Sequence, residues 1–262
     1  VISDKDPRMV AHVAYEAYKI FSEEPKITNR ILLKRVMPYL RMMTKGSILA
    51  DIKQVGLMGE LDFLEKMIIF NDSSLEEISL LEHWRGSEGG LRYFSFSECF
   101  LEVKSTLKNR RVHLISQMDQ LDSIDKLYLY STMWQKRLTD EGVRLIDYIK
   151  KIDSMFKEKK AKDAFRQKIE EVGIFFDVET GDYCDSDIYK LEPSFIRSKK
   201  SRIYKIDSAS DILRRTSFKE NKPPSSVQGI SYELNLETDD FKRNSIKVED
   251  FLENHSGMLE SN

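Results

Sequence analysis

The stretch Leu101-Glu102-Val103-Lys104-Ser105-Thr106 combines a strand pattern with a pair of opposite charges. Side chains on a β-strand alternate between its two faces, so Glu102 and Lys104 point one way while Leu101 and Val103 point the other. One face therefore packs, and the opposite face presents a carboxylate beside an ammonium. A carboxylate can ligate Mg²⁺ and a fixed cation can counter the charge of a phosphate, which is typical of a divalent-metal nuclease. Glu-x-Lys alone is a weak signal, so its value depends on the surrounding sequence.

The segments on either side of this strand predict a mixture of helices and strands. Apolar residues at three- and four-residue spacing indicate helices within 1–45, 51–70, 116–121, 145–156 and 165–172. Thr139-Asp140-Glu141 is expected to cap the helix that contains Leu145. Strands are predicted at 91–96 and 99–106, which form a hairpin, and at 127–134, 174–178, 203–206 and 230–236.

Composition excludes several classes of protein. The 262 residues are 33% charged and 40% hydrophobic, as is ordinary for a soluble protein. No apolar run approaches the roughly 20 residues that a membrane-spanning helix needs, and no signal-peptide pattern opens the sequence. The two cysteines, Cys99 and Cys184, are too few for a disulfide framework, which favours the cytoplasm. Because the chain opens at Val1, we expect a preceding segment to be missing.

Charge is nearly balanced, with 42 basic and 44 acidic residues. A protein that coats nucleic acid nonspecifically is usually more basic, so DNA binding is expected to be local or shared with a partner. Basic residues cluster at 108–111, at 197–202 and at 214–215. Each cluster is equally compatible with solvated surface charge.

Taken in order, these features resemble a family of PD-(D/E)XK nucleases from bacterial defence and restriction gene clusters that carries a domain-of-unknown-function label. The resemblance runs from about residue 10 to about residue 240. Its carriers are Gly56-Leu57-Met58-Gly59-Glu60-Leu61, Trp84 with Gly86, Leu101 to Ser105, Arg111-x-His113-x-Ile115-Ser116, and Gln120-Leu121.

The resemblance implies an α/β (α+β) fold with a restriction-endonuclease-like core, in which helices flank a central mixed sheet. Reading along the chain, we expect a helical lead-in at 1–48, a nuclease-like core at 49–160 and a mixed C-terminal extension at 161–262. The resemblance implies that Glu102 and Glu60 ligate Mg²⁺ or Mn²⁺, that Lys104 orients water, and that Gln120 completes the site. The residues expected to contact DNA are Lys108, Arg110, Arg111, His113 and Arg202, although the backbone could equally satisfy His113.

One position departs from the family pattern. Tyr93, followed by Phe94, stands where the family has an aspartate nine residues before the catalytic glutamate. A neutral phenol is a poor Mg²⁺ ligand. Either another acid, Glu98 or Glu60, replaces this aspartate, or the site has lost catalysis, or the register of the comparison is shifted.

Two functions therefore remain open at this stage. The first is a Mg²⁺-dependent DNA endonuclease or nuclease subunit in restriction or phage defence. The second is a nuclease-fold protein without catalysis that binds DNA or acts as a scaffold. ATPase or methyltransferase subunits are expected partners, the chain could form a homodimer, and no membrane is expected.

Overall fold

The structure is a computed structural model, and it describes residues 7–26, 51–71, 76–86, 93–122, 126–137, 141–178, 181–183, 194–207, 210 and 212–255. Contacts within the chain define two units, residues 1–50 with 166–192 and residues 51–165 with 193–262. This grouping differs from the three consecutive domains predicted above, because the segment after residue 193 belongs with the core. Among the described helices, none is both long and apolar enough to cross a membrane.

The larger unit is built on a five-stranded mixed sheet with the strand order β1-β2-β4-β7-β9. Its strands are β1 (Phe94–Ser95), β2 (Cys99–Thr106), β4 (Lys126–Arg137), β7 (Ser194–Ile206) and β9 (Ser245–Ile246). The central pair, β2 and β4, is parallel, and the other pairs are antiparallel. With helices flanking the sheet, this architecture is consistent with a restriction-endonuclease-like fold and confirms the predicted fold class.

Helix α2 (Asp51–Asn71) packs on the sheet face that carries Leu101 and Val103. At Gly59 the two backbones come so close that a Cβ would overlap the Ser105 hydroxyl and lie 3.2 Å from Val103 Cγ1. Close packing therefore explains this glycine, whereas a Cβ at Gly56 would meet nothing within 4 Å.

Other helices complete the larger unit. They are α3 (Glu77–His83), α4 (Leu145–Met155), α6 (Asp239–Arg243) and α7 (Val248–His255). The ring of Phe251 in α7 lies 6.1 Å from Phe63 of α2 and 5.0 Å from Tyr128 of β4. An aromatic layer thus joins the C-terminal helix to the sheet and to α2.

The opposite face of the sheet is covered by a two-stranded antiparallel ribbon, β3 (Val112–Ile115) with β8 (Tyr232–Asn235). A buried apolar cluster fills the space beneath it, formed by Ile115, Leu121, Leu127, Leu129, Tyr204, Ile206, Leu234, Leu236 and Phe241. Glu102 and Lys104 lie on this same face, since they pair with Leu129 and Ser131 in register.

The smaller unit contains α1 (Pro7–Glu23) and a short antiparallel pair of two-residue strands, β5 (Phe176–Asp177) with β6 (Asp182–Tyr183). The residues of helix α5 (Lys159–Glu171) from 166 onward also belong to it. The guanidinium of Arg166 stacks 3.5 Å from the ring centroid of Phe176. The helix ends before Gly173, whose φ of 95° is a conformation that glycine adopts readily.

Most predicted elements are present, with three corrections. The helix predicted at 116–121 is a single 3₁₀ turn, Met118–Gln120. Helix α4 begins at Leu145 after Arg144, so Glu141 does not start it. The strand predicted at 203–206 is the end of the 13-residue β7, whose charged exposed middle conceals the strand alternation. The part of the predicted helical segment 1–45 that contains Ile31 lies outside the described residues, as do Thr139 and Cys184.

Candidate metal and phosphate site

Strand β2 brings the acid and the lysine together as its alternation predicts. Lys104 Nζ lies 3.0 Å from Glu102 Oε1, with the Glu102 side chain fully buried and that of Lys104 12% exposed. Lys104 also donates a hydrogen bond to Gln120 Oε1 at 3.0 Å. A shielded ion pair is stronger than one in water because the local dielectric constant is lower. The ammonium is therefore held in one place.

The 3₁₀ turn Met118–Gln120 fixes the third member of this cluster. It follows β3 directly, and the next residue, Leu121, is fully buried in the apolar cluster. Ser116 Oγ lies 3.4 Å from the same Gln120 oxygen that Lys104 binds. The amide oxygen of Gln120 thus accepts hydrogen bonds from both Lys104 and Ser116.

Helix α2 contributes a second carboxyl group, that of Glu60, whose charge interacts with that of Glu102. The indole Nε1 of Trp84 donates a buried hydrogen bond of 2.8 Å to Glu60 Oε2. A Cβ at Gly86 would overlap this Glu60 oxygen and lie 2.8 Å from the Trp84 nitrogen. These contacts explain why a tryptophan and a glycine occur at positions 84 and 86. Trp84 binds Glu60, and Gly86 leaves room for the Glu60 side chain.

The protonation of Glu60 reflects this environment. Burial raises the pKa of Glu60 to about 8, the Trp84 hydrogen bond opposes this rise, and the charge of Glu102 adds to it. At neutral pH the carboxyl group consequently holds its proton. A cation between the two carboxyl groups would favour the ionised form, because opposite charge stabilises a carboxylate.

Tyr93 stands beside Glu102. Phe94 pairs with Leu101 in the antiparallel β1–β2 ladder, so the preceding residue, Tyr93, is opposite Glu102. The Tyr93 carbonyl accepts a hydrogen bond of 2.8 Å from the Arg85 amide. Burial, followed by the charges of Glu60 and Glu102, raises the pKa of the phenol further above its ordinary value. This position therefore contributes a neutral hydroxyl and no carboxylate.

The donor groups fit Mg²⁺ in one particular way. Among the described residues, no set of three or more His, Cys, Asp or Glu side chains could hold a metal ion. Mg²⁺ commonly binds through one or two carboxylates and completes its shell with waters and substrate phosphates. Glu102 and Glu60 suit that mode, and they do not form a closed cage.

Glu98 is not brought into this cluster. It is exposed on the turn before β2, and its carboxylate pairs with Lys126 Nζ at 3.1 Å. Four residues of extended chain separate it from Glu102, a distance of about 13 Å. Of the two acids considered as replacements for the missing aspartate, only Glu60 approaches Glu102.

His113 is buried rather than directed at a substrate. Its Nε2 shares a 2.8 Å hydrogen bond with Ser131 Oγ, and the side chain is 1% exposed. Burial is the main cause that lowers its pKa to about 3, and the nearby charges of Arg111 and Lys104 add to this effect. The alternative considered for His113 was a ring satisfied by the backbone. The ring is buried, and its partner at 2.8 Å is the Ser131 hydroxyl.

Arg111 is also buried, and its guanidinium bonds to the sheet. Its Nη1 donates to the backbone oxygen and to the hydroxyl of Ser131, each at 2.9 Å, and its Nη2 donates to the Lys200 carbonyl. By contrast, Lys108, Arg110 and Arg202 are exposed, and Lys108 pairs with Glu233. The predicted DNA-contacting residues therefore separate into buried and exposed groups.

Two contributors were not predicted from the sequence. Trp84 was named only as a carrier of the family resemblance, with no role assigned, and its indole binds Glu60. Ser131 carried no signal, because only strand pairing places it opposite Lys104 and beneath Arg111. Cys99 is buried, which raises its thiol pKa to about 12 and agrees with an unreactive side chain.

The mixed sheet and the acid–lysine pair on its central parallel strand define an α/β protein of the nuclease type. The chain belongs to the family described as "Putative PD-(D/E)XK family member (DUF4420)", whose profile matches residues 8–237. Nucleases of this type generally use divalent metal ions. No curated protein and no solved structure matches the chain.

Proposed function

We propose that this chain is a Mg²⁺-dependent DNA endonuclease, or the nuclease subunit of one, that acts in a bacterial restriction or anti-phage system in the cytoplasm. The single observation that carries the proposal is the fixed cluster of Glu102, Lys104 and Gln120, joined by 3.0 Å contacts. The charge of Glu102 also acts on the carboxyl group of Glu60. Family membership supports the nuclease part of this proposal.

Each residue has a defined role in hydrolysis. Glu102 and Glu60 would hold the metal ion, which would supply polarisation of a phosphoryl oxygen and a lowered pKa of bound water. The Lys104 ammonium counters negative charge that develops on the phosphate. Gln120 positions Lys104 by accepting its hydrogen bond. In the reaction the water oxygen forms a bond to phosphorus and loses a proton, the bond from phosphorus to the leaving sugar oxygen breaks, and that sugar oxygen gains a proton to become a hydroxyl.

Cleavage of supercoiled plasmid in Mg²⁺ or Mn²⁺ tests this function. We expect the wild type to nick plasmid and Glu102→Gln to reduce the rate about a hundredfold or more, because a carboxylate ligand of the metal ion is lost. The matched control is Glu98→Gln, which removes the same charge from an exposed position. An equal loss of activity in both variants would contradict the assigned role of Glu102.

A second candidate function is favoured by the neutral phenol at position 93. In this alternative the fold binds DNA or a partner subunit without cleaving. Cleavage that appears only in Tyr93→Asp, which restores a carboxylate opposite Glu102, would identify a degenerate site. If none of the three proteins (wild type, Glu102→Gln and Tyr93→Asp) cleaves plasmid, the result would favour a scaffolding role without catalysis.

Partner subunits are part of the proposal. An ATPase or methyltransferase subunit is the expected partner in a restriction or defence assembly, and a homodimer would bring two cleavage sites to one duplex. Analytical ultracentrifugation of the chain with and without duplex DNA checks the homodimer directly. A monomer in both conditions would contradict it.

A further inference from the structure

The pairing of β4 with β7 contains an irregularity beside Ser131. Ser131 pairs with Arg202, whereas Met133 pairs with Lys199, so two steps along β4 correspond to three along β7. The extra residue forms a β-bulge, a feature that redirects side chains and is frequent next to active sites. Because Ser131 and Met133 share a face of the sheet, the bulge brings Lys199 to the face of Arg202.

Buried Arg111 holds this irregular segment. A bulge interrupts the ladder and leaves a backbone group without its usual partner. Arg111 Nη2 donates to the carbonyl of Lys200 within the bulge, while Nη1 holds Ser131 of the neighbouring strand at 2.9 Å. The two exposed lysines of the bulge thus project from an anchored backbone.

A positively charged groove of about 460 Å³ opens at this place. Its lining has five cationic side chains and one carboxylate, and comprises Arg111, Lys199, Lys200, Arg202, Tyr204, Leu236, Glu237 and Lys242. The carboxylate of Glu237 lies 3.5 Å from Lys199 Nζ, and that of Asp239 lies 3.3 Å from Lys242 Nζ, so two of the five charges are offset. The remaining excess of positive charge suits an anion with several negative groups.

The groove lies in line with the Glu102–Lys104 pair. Lys104 pairs with Ser131 on β4, and Ser131 pairs with Arg202 on β7. These three residues form a row across adjacent strands on one face of the sheet. Two strand spacings separate the Cα atoms of Lys104 and Arg202 by about 10 Å. A nucleic-acid strand carries one charge for every nucleotide, so a strand at Lys104 can extend a neighbouring phosphate into the groove.

We propose that the groove formed by Lys199, Lys200, Arg202 and Lys242 is a second phosphate subsite, which binds the sugar-phosphate backbone of the nucleic acid beside the bond to be cleaved. This inference rests on the proposed function, because it assigns the same nucleic acid to both places. Arg111 is a positioning residue that acts through the bulge.

Binding in the absence of metal separates this inference from catalysis. Fluorescence anisotropy with a labelled DNA duplex in EDTA compares the wild type with the variant Lys199→Gln/Lys200→Gln/Arg202→Gln. We expect affinity to fall about tenfold or more, and the slope of log affinity against log salt to become shallower by about two to three, because three phosphate contacts are lost. Equal thermal unfolding midpoints confirm that the variant is folded.

The matched control is Lys219→Gln/Lys222→Gln/Lys247→Gln, which removes three charges from exposed positions in the same unit. It should retain most of the affinity. An equal loss in both triple variants, no loss in the groove variant, or no binding by the wild type would overturn the inference. Groove-dependent binding supports the subsite even where plasmid is not cleaved, so its failure and that of the endonuclease proposal are distinguishable.

Discussion

Glu60 is a buried carboxyl group that experiences the charge of another carboxylate, Glu102, so its ionisation costs free energy. Its pKa is raised to about 8, primarily by burial. The Trp84 indole compensates only part of this cost, since it lowers the pKa and the net shift remains upward. Ionisation of Glu60 therefore carries an electrostatic penalty, which a bound cation would reduce.

The variant Glu60→Gln tests this penalty through the pH dependence of stability. Between the unfolded pKa near 4.5 and the folded pKa of about 8, the native wild type binds more protons than the unfolded chain. Its free energy of unfolding should therefore decrease as pH rises through this window, by at most about 1.4 kcal/mol for each pH unit. Urea unfolding in EDTA at pH 5, 6.5 and 8 measures this decrease.

The glutamine keeps an oxygen that can accept the Trp84 hydrogen bond but cannot titrate, so Glu60→Gln should lose much of this decline. The exposed variant Glu98→Gln is the control and should follow the wild type. Parallel pH profiles for Glu60→Gln and the wild type would show that Glu60 titrates normally.

Helix α2 depends on the size of one residue to approach the strand that carries Glu102. A Cβ at position 59 would overlap the Ser105 hydroxyl and lie 3.1 Å from Thr132 Oγ1. These two hydroxyls share a 2.8 Å hydrogen bond across β2 and β4. The glycine therefore controls how closely the helix and the parallel strand pair pack.

Substitutions at the two glycines of α2 should have opposite effects. Gly59→Ala should reduce the free energy of unfolding by about 1–3 kcal/mol, because the added methyl overpacks a filled contact. Gly56→Ala, three residues earlier in the same helix, should increase it by up to about 1 kcal/mol, because alanine favours the helix and meets nothing within 4 Å. Chemical denaturation measures both, and destabilisation of equal size at both positions would contradict the packing argument.

The larger unit is completed by sequence that lies far from its nuclease motif. Strand β7 and the short β9 extend the sheet beyond β4, and α7 packs its Phe251 ring against residues of α2 and β4. The C-terminal segment is thus part of the same hydrophobic core as the Glu102 strand. Loss of this segment would expose the middle of the sheet.

The variant Phe251→Ala measures how strongly α7 is integrated. Phe251 is fully buried, so truncation should reduce the free energy of unfolding by about 3–5 kcal/mol. Val227→Ala, at a position that is 42% exposed, should change it by less than about 0.5 kcal/mol. A small effect of Phe251→Ala, with α7 proteolysed before the sheet, would indicate that this helix is an independent appendage.

The sequence by itself determined most of the helices and strands and the charged pair. Alternation along 101–106 is a local property, so it placed Glu102 and Lys104 on one face before any partner strand was known. The family resemblance added Glu60 and Gln120, and the structure places Gln120 on Lys104 and Glu60 near Glu102.

Tertiary structure alone decided which of the remaining candidates lie at the surface. Arg111 and His113 are residue types that commonly contact DNA, and the sequence predicted this role for both. The pairing of distant strands nevertheless buries both against Ser131. Glu98 is close to Glu102 in sequence but is directed to Lys126 at the other end of the strand. The bulge that gathers Lys199 and Arg202 depends on register between segments about 70 residues apart. Such register arises from the packing of the whole sheet, and no local pattern encodes it.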